Sequence, residues 1–228
     1  MLNDSKYAVF FGGAGVSTAS GIPDFRSPDG LSAKKYAYPF ETILSHEFFF
    51  EHTGEFYDYY YAELDAYTAK PNAAHKALAA LEADGRIKAV ITQNIDGLHQ
   101  AAGSRKVYEL HGTTSRGMCV KCGKVYSAGE MRARRPVPKC DCGGIIKPDV
   151  VLYGESLDPH VISGACMELE KADLVIVGGT SLSVYPAAGF LDYTDGDIVV
   201  INKTPVASSY IKPALVITGD VCLLSGLV

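Results

Sequence analysis

Four cysteines carry the most specific chemical pattern in this sequence. They form two pairs at short spacing, and they are Cys119, Cys122, Cys140 and Cys142. Thiolates paired in this way complete tetrahedral Zn²⁺ sites, and a set of four leaves no coordination position open for a substrate. The sequence therefore predicts a structural zinc that stabilises a small lobe with little other core. Cys166 and Cys222 stand alone and are expected to be small core residues.

A glycine-rich turn follows an apolar stretch near the N-terminus. Gly13, Ala14 and Gly15 would let backbone N–H groups approach a phosphate closely, although such a turn is often only a tight connection. Further along, Pro23 stops any helix after about one turn. The segment therefore suits a loop that folds over a bound dinucleotide, with Arg26 available for phosphate charge.

A second turn of this kind lies near the C-terminus. The apolar run Leu174 to Val177 leads into Gly179, Thr180 and Ser181, and a later apolar run ends at Asn202. In a strand–helix–strand unit that binds a dinucleotide, the residue that ends the second strand meets the ribose hydroxyls. Asn202 holds that place with an amide instead of the usual acid. Two such units in one sheet favour a nucleotide site more strongly than one.

Polar side chains follow two further apolar runs. Gln93, Asn94 and Asp96 come after one run, and Glu109 and His111 come after the next. Ligands of parallel sheets gather at the carboxyl ends of the strands, so these groups are candidates for a site. A lone histidine near a sheet is more often structural. Beside amides and a carboxylate, His111 is also a candidate general base, since the ordinary pKa of histidine lies near neutral pH.

These candidate residues need a scaffold, and the apolar runs predict one. Each run is short, unbroken and rich in β-branched or aromatic residues, which is typical of strands buried on both faces. The runs are Tyr7 to Phe11, Ile87 to Thr92, Val107 to Leu110, Leu174 to Val177, Ile198 to Ile201 and Leu215 to Thr218. Helical stretches lie between them, for example Asn72 to Ala83. Alternating strands and helices indicate an α/β fold with a parallel sheet.

Two segments interrupt this alternation. Residues from about Leu31 to Tyr67 contain many aromatics and no strand pattern, which predicts a helical excursion. Its aromatic side chains would pack a small core or line a groove. The second segment, Cys119 to Cys142, is predicted to be an insertion in the same α/β domain, because sheet-like sequence resumes after it.

The amino-acid composition and net charge limit the classes of molecule that this protein could bind. The 228 residues are 47% hydrophobic and carry a formal net charge of −5, so a disordered chain is excluded and a nucleic-acid-binding surface is disfavoured. A cationic peptide is a suitable partner. No apolar run approaches the roughly 20 residues that cross a bilayer, and glycines interrupt the N-terminal run before it could form a secretory signal. We expect a cytoplasmic monomer that binds neither nucleic acid nor membrane.

Several of these stretches, read in order, match one known family. They are residues 13–17 (GAGVS), 21–26 (GIPDFR), 92–99 (TQNIDGLH), 111–112 (HG), the cysteine pairs, 147–155 (KPDVVLYGE) and 179–182 (GTSL). The chain thus resembles the sirtuins, the NAD-dependent protein lysine deacylases, over essentially the whole catalytic core. Two departures occur: the second cysteine pair is C-x-C where the family more often has C-x-x-C, and Thr113 stands where serine is more usual.

The resemblance implies a Rossmann-like parallel-sheet domain with a smaller inserted domain made of a helical module and a zinc-binding module. The Rossmann-like, NAD-binding domain would comprise residues 1–30, 68–118 and 145–228. The helical module would cover residues 31–67 and the zinc module residues 119–144. NAD and the acyl-lysine segment of another protein, chiefly acetyl-lysine, would meet in the cleft between the two domains.

The resemblance also implies roles for individual residues, with the four cysteines as zinc ligands. The cofactor-binding residues would be Gly13, Ala14, Gly15, Thr18, Asp24, Phe25, Arg26, Gln93, Asn94, Ile95, Asp96, His111, Gly179, Thr180, Ser181 and Asn202. Val151, Tyr153 and Gly154 would bind the substrate, and the Val150 to Gly154 backbone would pair with the peptide as an added strand. His111 and Asn94 would be the catalytic residues.

The implied reaction consumes NAD as a co-substrate. The acyl oxygen attacks C1′ of the nicotinamide ribose, nicotinamide departs, and His111 deprotonates a ribose hydroxyl that attacks the resulting imidate carbon. Water completes the transfer and yields free lysine and O-acyl-ADP-ribose. Protein ADP-ribosyl transfer or plain NAD hydrolysis on the same fold is the alternative.

Sirtuins that remove succinyl or malonyl groups carry, in the helical module, a tyrosine followed three residues later by an arginine that pairs with the acyl carboxylate. Here Tyr57 is followed by Tyr60 at that spacing. The resemblance therefore implies a preference for acetyl or longer uncharged acyl groups.

Two other classes compete with this interpretation. An NAD-dependent oxidoreductase would account for the glycine turn and Asn202, but not for Pro23 or the cysteine module. A non-enzymatic zinc-ribbon binding module would use Arg132, Arg134 and Arg135 as a basic patch, although such a charge run is more often a solvated face.

Overall fold

A computed structural model of the protein describes residues 1–24, 30–34, 36–182, 186–206 and 211–228. The strands in this part of the chain are β1 (Ala8–Gly12), β2 (Ile87–Thr92), β3 (Val107–Glu109), β4 (Gly112–Cys119), β5 (Val125–Ser127), β6 (Ile146–Val150), β7 (Leu174–Gly178), β8 (Asp197–Asn202) and β9 (Leu215–Thr218). The α-helices are α1 (Phe40–Ile43), α2 (His46–Glu51), α3 (Thr53–Tyr59), α4 (Ala73–Ala83), α5 (Leu98–Ala102), α6 (Ala128–Arg132) and α7 (Pro159–Lys171).

The six predicted apolar runs form one parallel sheet with the order β3-β2-β1-β7-β8-β9. Strands β1 and β7 lie at its centre and are buried along their whole length, as expected for strands covered on both faces. The prediction of burial is wrong for the two edge strands, since β3 is half-buried and β9 is exposed. Chain order runs outward from β1 on one side and from β7 on the other. The topological switch point therefore lies at the carboxyl ends of β1 and β7, where open α/β sheets bind ligands.

The segment after β1 forms two short 3₁₀ turns, Ala14–Val16 and Thr18–Ser20, instead of a long helix. Asn72 links these turns to helix α4. Its side-chain carbonyl caps α4 by accepting from Ala74 N at 2.9 Å, and its amide donates to Val16 O at 2.8 Å. The cap that starts α4 thus also fixes the path of the glycine turn.

The helical excursion and the cysteine module share one core. Strand β4 pairs antiparallel with β5 and β6, and α1 to α3, continued by a π-turn at Tyr60–Leu64, pack against this small sheet. Phe49, Tyr57, Tyr126 and Met131 are all buried in the same cluster. The aromatics of the excursion therefore mainly pack a core, although Phe50 remains exposed.

The arginine run beside the cysteines is only in part the predicted solvated face, since Arg135 is exposed but Arg132 and Arg134 are half-buried. Arg132 Nε lies 2.7 Å from the buried carboxylate of Asp65, and Arg135 also contacts it, at 3.5 Å. The two guanidinium groups lie over the rings of Tyr67 and Tyr61, at 4.7 Å and 3.8 Å from the ring centroids. Arg132 and Arg135 therefore join the two modules of the small domain.

Cys166 is buried and Cys222 is half-buried, in keeping with their prediction as small core residues. Among the described residues, no helix combines the length and the apolar character that crossing a membrane requires.

Candidate functional site

The two glycine turns pack directly on each other at the switch point. Gly13 N donates to Gly178 O at 3.2 Å, and Gly15 N donates to Gly179 O at 2.8 Å. A Cβ on Gly15 would lie 2.8 Å from Gly179 Cα, and one on Gly179, whose φ is +60°, would lie 2.4 Å from Val16 N. These glycines therefore let the two turns approach each other, a role in addition to the predicted approach to a phosphate.

Thr180 connects the C-terminal turn to two other predicted contact residues. Its hydroxyl accepts from Gln93 Nε2 at 3.2 Å, and its carbonyl accepts from Asn202 Nδ2 at 3.1 Å. The Asn202 amide also donates to Thr204 O at 2.9 Å. The structure thus brings the ends of β2, β7 and β8 together around one buried threonine.

A buried polar network lies behind these residues. Ser17 Oγ donates to Asp96 Oδ2 at 2.6 Å and accepts from Asn94 Nδ2 at 3.0 Å, and His75 Nε2 lies 3.4 Å away. The His75 ring accepts the Asn72 N–H at Nδ1, so its proton is on Nε2 and points towards the serine. The network therefore fixes the side chains of Asn94 and Asp96.

Sequence patterns assign no separate role to Ser17 and do not single out His75. His75 lies on the apolar face of α4, beside Ala74 and one turn before Leu78, so periodicity assigns it to the core. Burial lowers its pKa and the nearby Asp96 charge opposes that shift. No local pattern could identify His75 as part of a polar network, because its partners in that network are distant in the sequence and only the fold brings them together.

His111 lies just beyond β3, with its imidazole enclosed but reachable. Its Nδ1 lies 2.9 Å from Gln93 O, a group that can only accept, so the proton is on Nδ1 and the Nε2 lone pair is left for a substrate proton. Burial lowers the pKa of His111, and the hydrogen bond to Gln93 partly opposes this shift. At neutral pH the side chain is therefore a neutral base with a defined orientation.

The predicted substrate segment begins next to this histidine. Val151 N donates to His111 O at 2.9 Å, and Tyr153 N and O bond to Leu44 O and His46 N, both at 2.9 Å. The segment thus runs from His111 to the start of α2. The Tyr153 side chain is exposed, and Gly154 has a φ of +88° that favours glycine.

Other predicted contact residues line the same edge of the sheet. Thr18 Oγ1 donates to Gly15 O at 3.0 Å, and the Ile95 carbonyl accepts from both the backbone N–H and the hydroxyl of Thr114. The Asp24 carbonyl accepts from Leu31 N at 2.9 Å. Ala14 and Ser181 lie within the two turns. Phe25 and Arg26 lie outside the described residues.

The four cysteine sulfurs form a compact donor set in which all Sγ atoms lie within 4.8 Å of one another. The Cys119–Cys142 and Cys122–Cys140 distances are 3.5 Å and 3.6 Å. Sulfurs around a tetrahedral zinc are about 3.8 Å apart, as follows from Zn–S bonds of about 2.3 Å. The residues present therefore fit a structural zinc.

The backbone after Cys142 allows the closely spaced cysteines of the C-x-C pair to reach this geometry. Gly143 adopts a φ of +80°, and a Cβ on Gly144 would lie 2.6 Å from Cys119 Sγ. The Tyr126 hydroxyl donates to Cys140 Sγ at 3.0 Å, a contact that stabilises a metal-bound thiolate. Two glycines thus make room for the shortened spacing.

Comparisons with known proteins agree with this geometry. An NAD-dependent protein deacetylase of Clostridium acetobutylicum is 50% identical over 222 residues, which cover 95% of this chain and 90% of that protein. A Sir2 structure with a p53 peptide and NAD⁺ is 39% identical, with a TM-score of 0.89 over 99% of this chain and 93% of that chain.

A second Sir2 structure holds an inhibitor, 2′-O-acetyl-ADP-ribose and a deacetylated p53 peptide. It is 38% identical, with a TM-score of 0.86 and coverage of 99% of this chain and 94% of that chain. The model of the Sir2 family matches residues 13–186. With its parallel sheet, its cysteine cluster and these likenesses, the chain belongs to the Sir2 family, the sirtuins.

Proposed function

We infer that this protein is an NAD-dependent protein deacetylase that consumes NAD and releases nicotinamide and O-acetyl-ADP-ribose. The observation that carries this inference is the position of His111. Its Nδ1 is held by Gln93 O, and its own carbonyl holds Val151 N. One base thus adjoins both the segment expected to bind NAD and the segment expected to bind the acyl-lysine peptide.

NAD supplies the nicotinamide leaving group and the ribose hydroxyls that receive the acyl group. His111 accepts a ribose hydroxyl proton at Nε2, for which its neutral state is required. The network of Ser17 and His75 keeps Asn94 and Asp96 oriented towards the same region. Fixed polar groups of this kind cost little reorganisation during the reaction.

We propose that the predicted site residues keep their roles in this enzyme. The contacts of Thr180 with Gln93 and Asn202 support a nucleotide site around the switch point. We propose that the Val150 to Gly154 backbone pairs with the peptide through groups that the bonds to His111, Leu44 and His46 do not use. Zinc would be held by the four cysteines, and its binding free energy would stabilise the small domain.

We also propose the domain division given above, with residues 31–67 and 119–144 as insertions. The shared core of these two segments supports it, although β4 reaches the zinc module of residues 119–144 only at Cys119 and β6 lies wholly outside it. Acetyl-lysine peptides of other proteins are the proposed partners. A cytoplasmic monomer without nucleic-acid binding stays a prediction, and light scattering after gel filtration would check the monomer.

Product analysis tests the function. The purified protein is incubated with NAD and an acetyl-lysine peptide, and the products are separated by mass. We expect deacetylated peptide, nicotinamide and O-acetyl-ADP-ribose in equal amounts. Free ADP-ribose formed without peptide would indicate NAD hydrolysis, ADP-ribosylated peptide would indicate transfer to protein, and absorbance from reduced cofactor would indicate an oxidoreductase.

A further inference from the structure

The carboxylate of Glu155, immediately after the proposed substrate segment, joins three parts of the molecule. Its Oε2 accepts from Leu152 N and from Lys147 Nζ, both at 2.9 Å, and its Oε1 lies 2.8 Å from His46 Nδ1. Lys147 belongs to β6, Leu152 to the segment and His46 to α2. No other function has been assigned to this carboxylate above.

Further bonds close the segment into a defined turn. Lys147 Nζ also donates to Val150 O at 2.7 Å, so one ammonium group contacts both the start of the segment and the carboxylate at its end. Glu155 N donates to Leu152 O at 2.9 Å, in the direction opposite to the side-chain bond. The turn between Val150 and Glu155 is thus held by both main chain and side chains.

His46 contacts the segment twice. Its backbone N–H donates to Tyr153 O at 2.9 Å, and its ring lies against Glu155. Since Tyr153 N bonds to Leu44 O, the segment and the start of α2 run side by side at this point. Glu155 therefore also fixes the segment relative to the helical module.

Glu155 is ionised where it makes these contacts. Partial burial raises the pKa of its carboxyl, but the hydrogen bonds from Leu152 N–H, His46 and Lys147 outweigh burial, so the net shift is downward. The side chains of Glu155 and Lys147 are only 20% and 18% exposed, so solvent screens this ion pair less than a surface pair. Charge-assisted bonds in such a setting hold backbone more firmly than neutral ones.

We propose that Glu155 is a positioning residue that holds residues 151–154 in the conformation that accepts the acyl-lysine peptide. A backbone that is already ordered avoids the entropic cost of ordering when a peptide pairs with it. Loss of the carboxylate then weakens peptide binding and leaves NAD binding and the chemical step intact. This inference rests on the proposed function, because it assumes that the segment binds the substrate.

The test compares Glu155→Ala and Glu155→Gln with a matched control, Glu170→Gln, which neutralises an exposed carboxylate on α7. The peptide carries uncharged residues around acetyl-lysine, so that general charge effects are small. We expect Glu155→Ala to raise the peptide KM by about tenfold or more, with kcat and the NAD KM within about twofold. The peptide KM of Glu155→Gln should lie between those of Glu155→Ala and the wild type, because the amide oxygen of glutamine can still accept the Leu152 N–H.

Direct binding separates this inference from the proposed function. Fluorescence anisotropy of a labelled acetyl-lysine peptide, without NAD, measures peptide affinity directly. We expect the wild type and Glu170→Gln to bind equally tightly, Glu155→Gln to bind more weakly and Glu155→Ala to bind most weakly. A wild-type enzyme without deacetylase activity would overturn the function, whereas equal peptide affinity of wild type and both Glu155 variants would overturn the inference. Parallel increases in the NAD and peptide KM of Glu155→Gln would also overturn it, since a general structural defect would then be the cause.

Discussion

The tautomer of His111 is fixed by a main-chain carbonyl, and this decides which ring nitrogen can act. Sequence reasoning could identify the histidine from its place after a predicted strand, because strand ends gather around ligands. It could not give the tautomer, which depends on the carbonyl of Gln93, the residue that follows β2. The same limit applies to Ser17 and His75, whose partners are distant in the chain.

Replacing His111 with alanine should abolish deacetylation. The variant loses the group that accepts the ribose hydroxyl proton, a contribution of about a hundredfold to ten-thousandfold in rate. It should still bind NAD and exchange nicotinamide, since departure of nicotinamide precedes the role of the base. Steady-state turnover of an acetyl-lysine peptide, with nicotinamide exchange as the control, checks both parts; near-normal turnover would refute the assignment.

The pH dependence of kcat/KM should also report on His111. Burial lowers its pKa below the ordinary 6.5. The neutral, active form of the imidazole is therefore still the major form at pH 6.5, and it is lost only at lower pH. We expect the acid limb of the kcat/KM profile to have its midpoint below 6.5. A midpoint above 7 would contradict the burial argument.

Among the elements, the central strands of the parallel sheet could be predicted because burial on both faces leaves an unbroken apolar run. The edge strands β3 and β9 have the same kind of run although one is half-buried and the other is exposed, so an unbroken apolar run predicts a strand better than it predicts burial. The contacts between the arginines and Asp65 could not, since they join residues about 70 positions apart that no local pattern connects. The glycine turns could be predicted only in part. Their position was predicted, but their packing on each other requires the β1–β7 pairing.

Replacing Cys140 with serine should release the zinc and destabilise the small domain. A closed four-cysteine site contributes its binding free energy to folding, and this sulfur also accepts from the buried Tyr126 hydroxyl. Metal analysis and thermal denaturation are the measurements, with Cys222→Ser as a control outside the cluster. Wild-type protein without stoichiometric zinc would show that the site interpretation fails.

The helical module should favour acetyl over succinyl substrates. Residues 53–64 contain no lysine or arginine, and Tyr60, which the resemblance places where the arginine of succinyl-removing sirtuins would stand, is buried against Phe56. A carboxylate brought into an apolar tunnel without a cation costs several kcal/mol, which is on the order of a thousandfold in specificity. The kcat/KM for matched acetyl and succinyl peptides checks this, and a ratio of one or below would contradict it.

At the scale of the whole molecule, a buried histidine links folding stability to pH. His99 is 1% exposed, and its ring nitrogens have no hydrogen-bond partner among the described residues. Burial, with a smaller effect of His75, lowers its pKa to about 3. Between that value and the unfolded pKa of 6.5, the unfolded chain binds a proton that the folded chain does not, so stability falls as the pH falls.

The variant His99→Leu should reduce this acid sensitivity. Between pH 7.5 and 5.5 the wild type should lose about 1.4 kcal/mol of unfolding free energy through this residue. Over this range the unfolded histidine is on average about half-protonated and the folded one binds almost no proton, and each excess proton on the unfolded chain changes stability by about 1.4 kcal/mol per pH unit. Urea denaturation at both pH values measures the difference. His160→Gln, at an exposed position, is the control; an equal loss in wild type and His99→Leu would contradict the linkage.

The common core of the helical and cysteine-rich segments has a consequence for making hybrids between related enzymes. Phe49 and Tyr57 from one segment pack with Tyr126 and Met131 from the other, so a chimaera that exchanges a single segment would join two halves never selected to fit. Exchanging both segments together would keep each interior intact. The unit that would have to be exchanged is therefore encoded by two separate stretches of the gene.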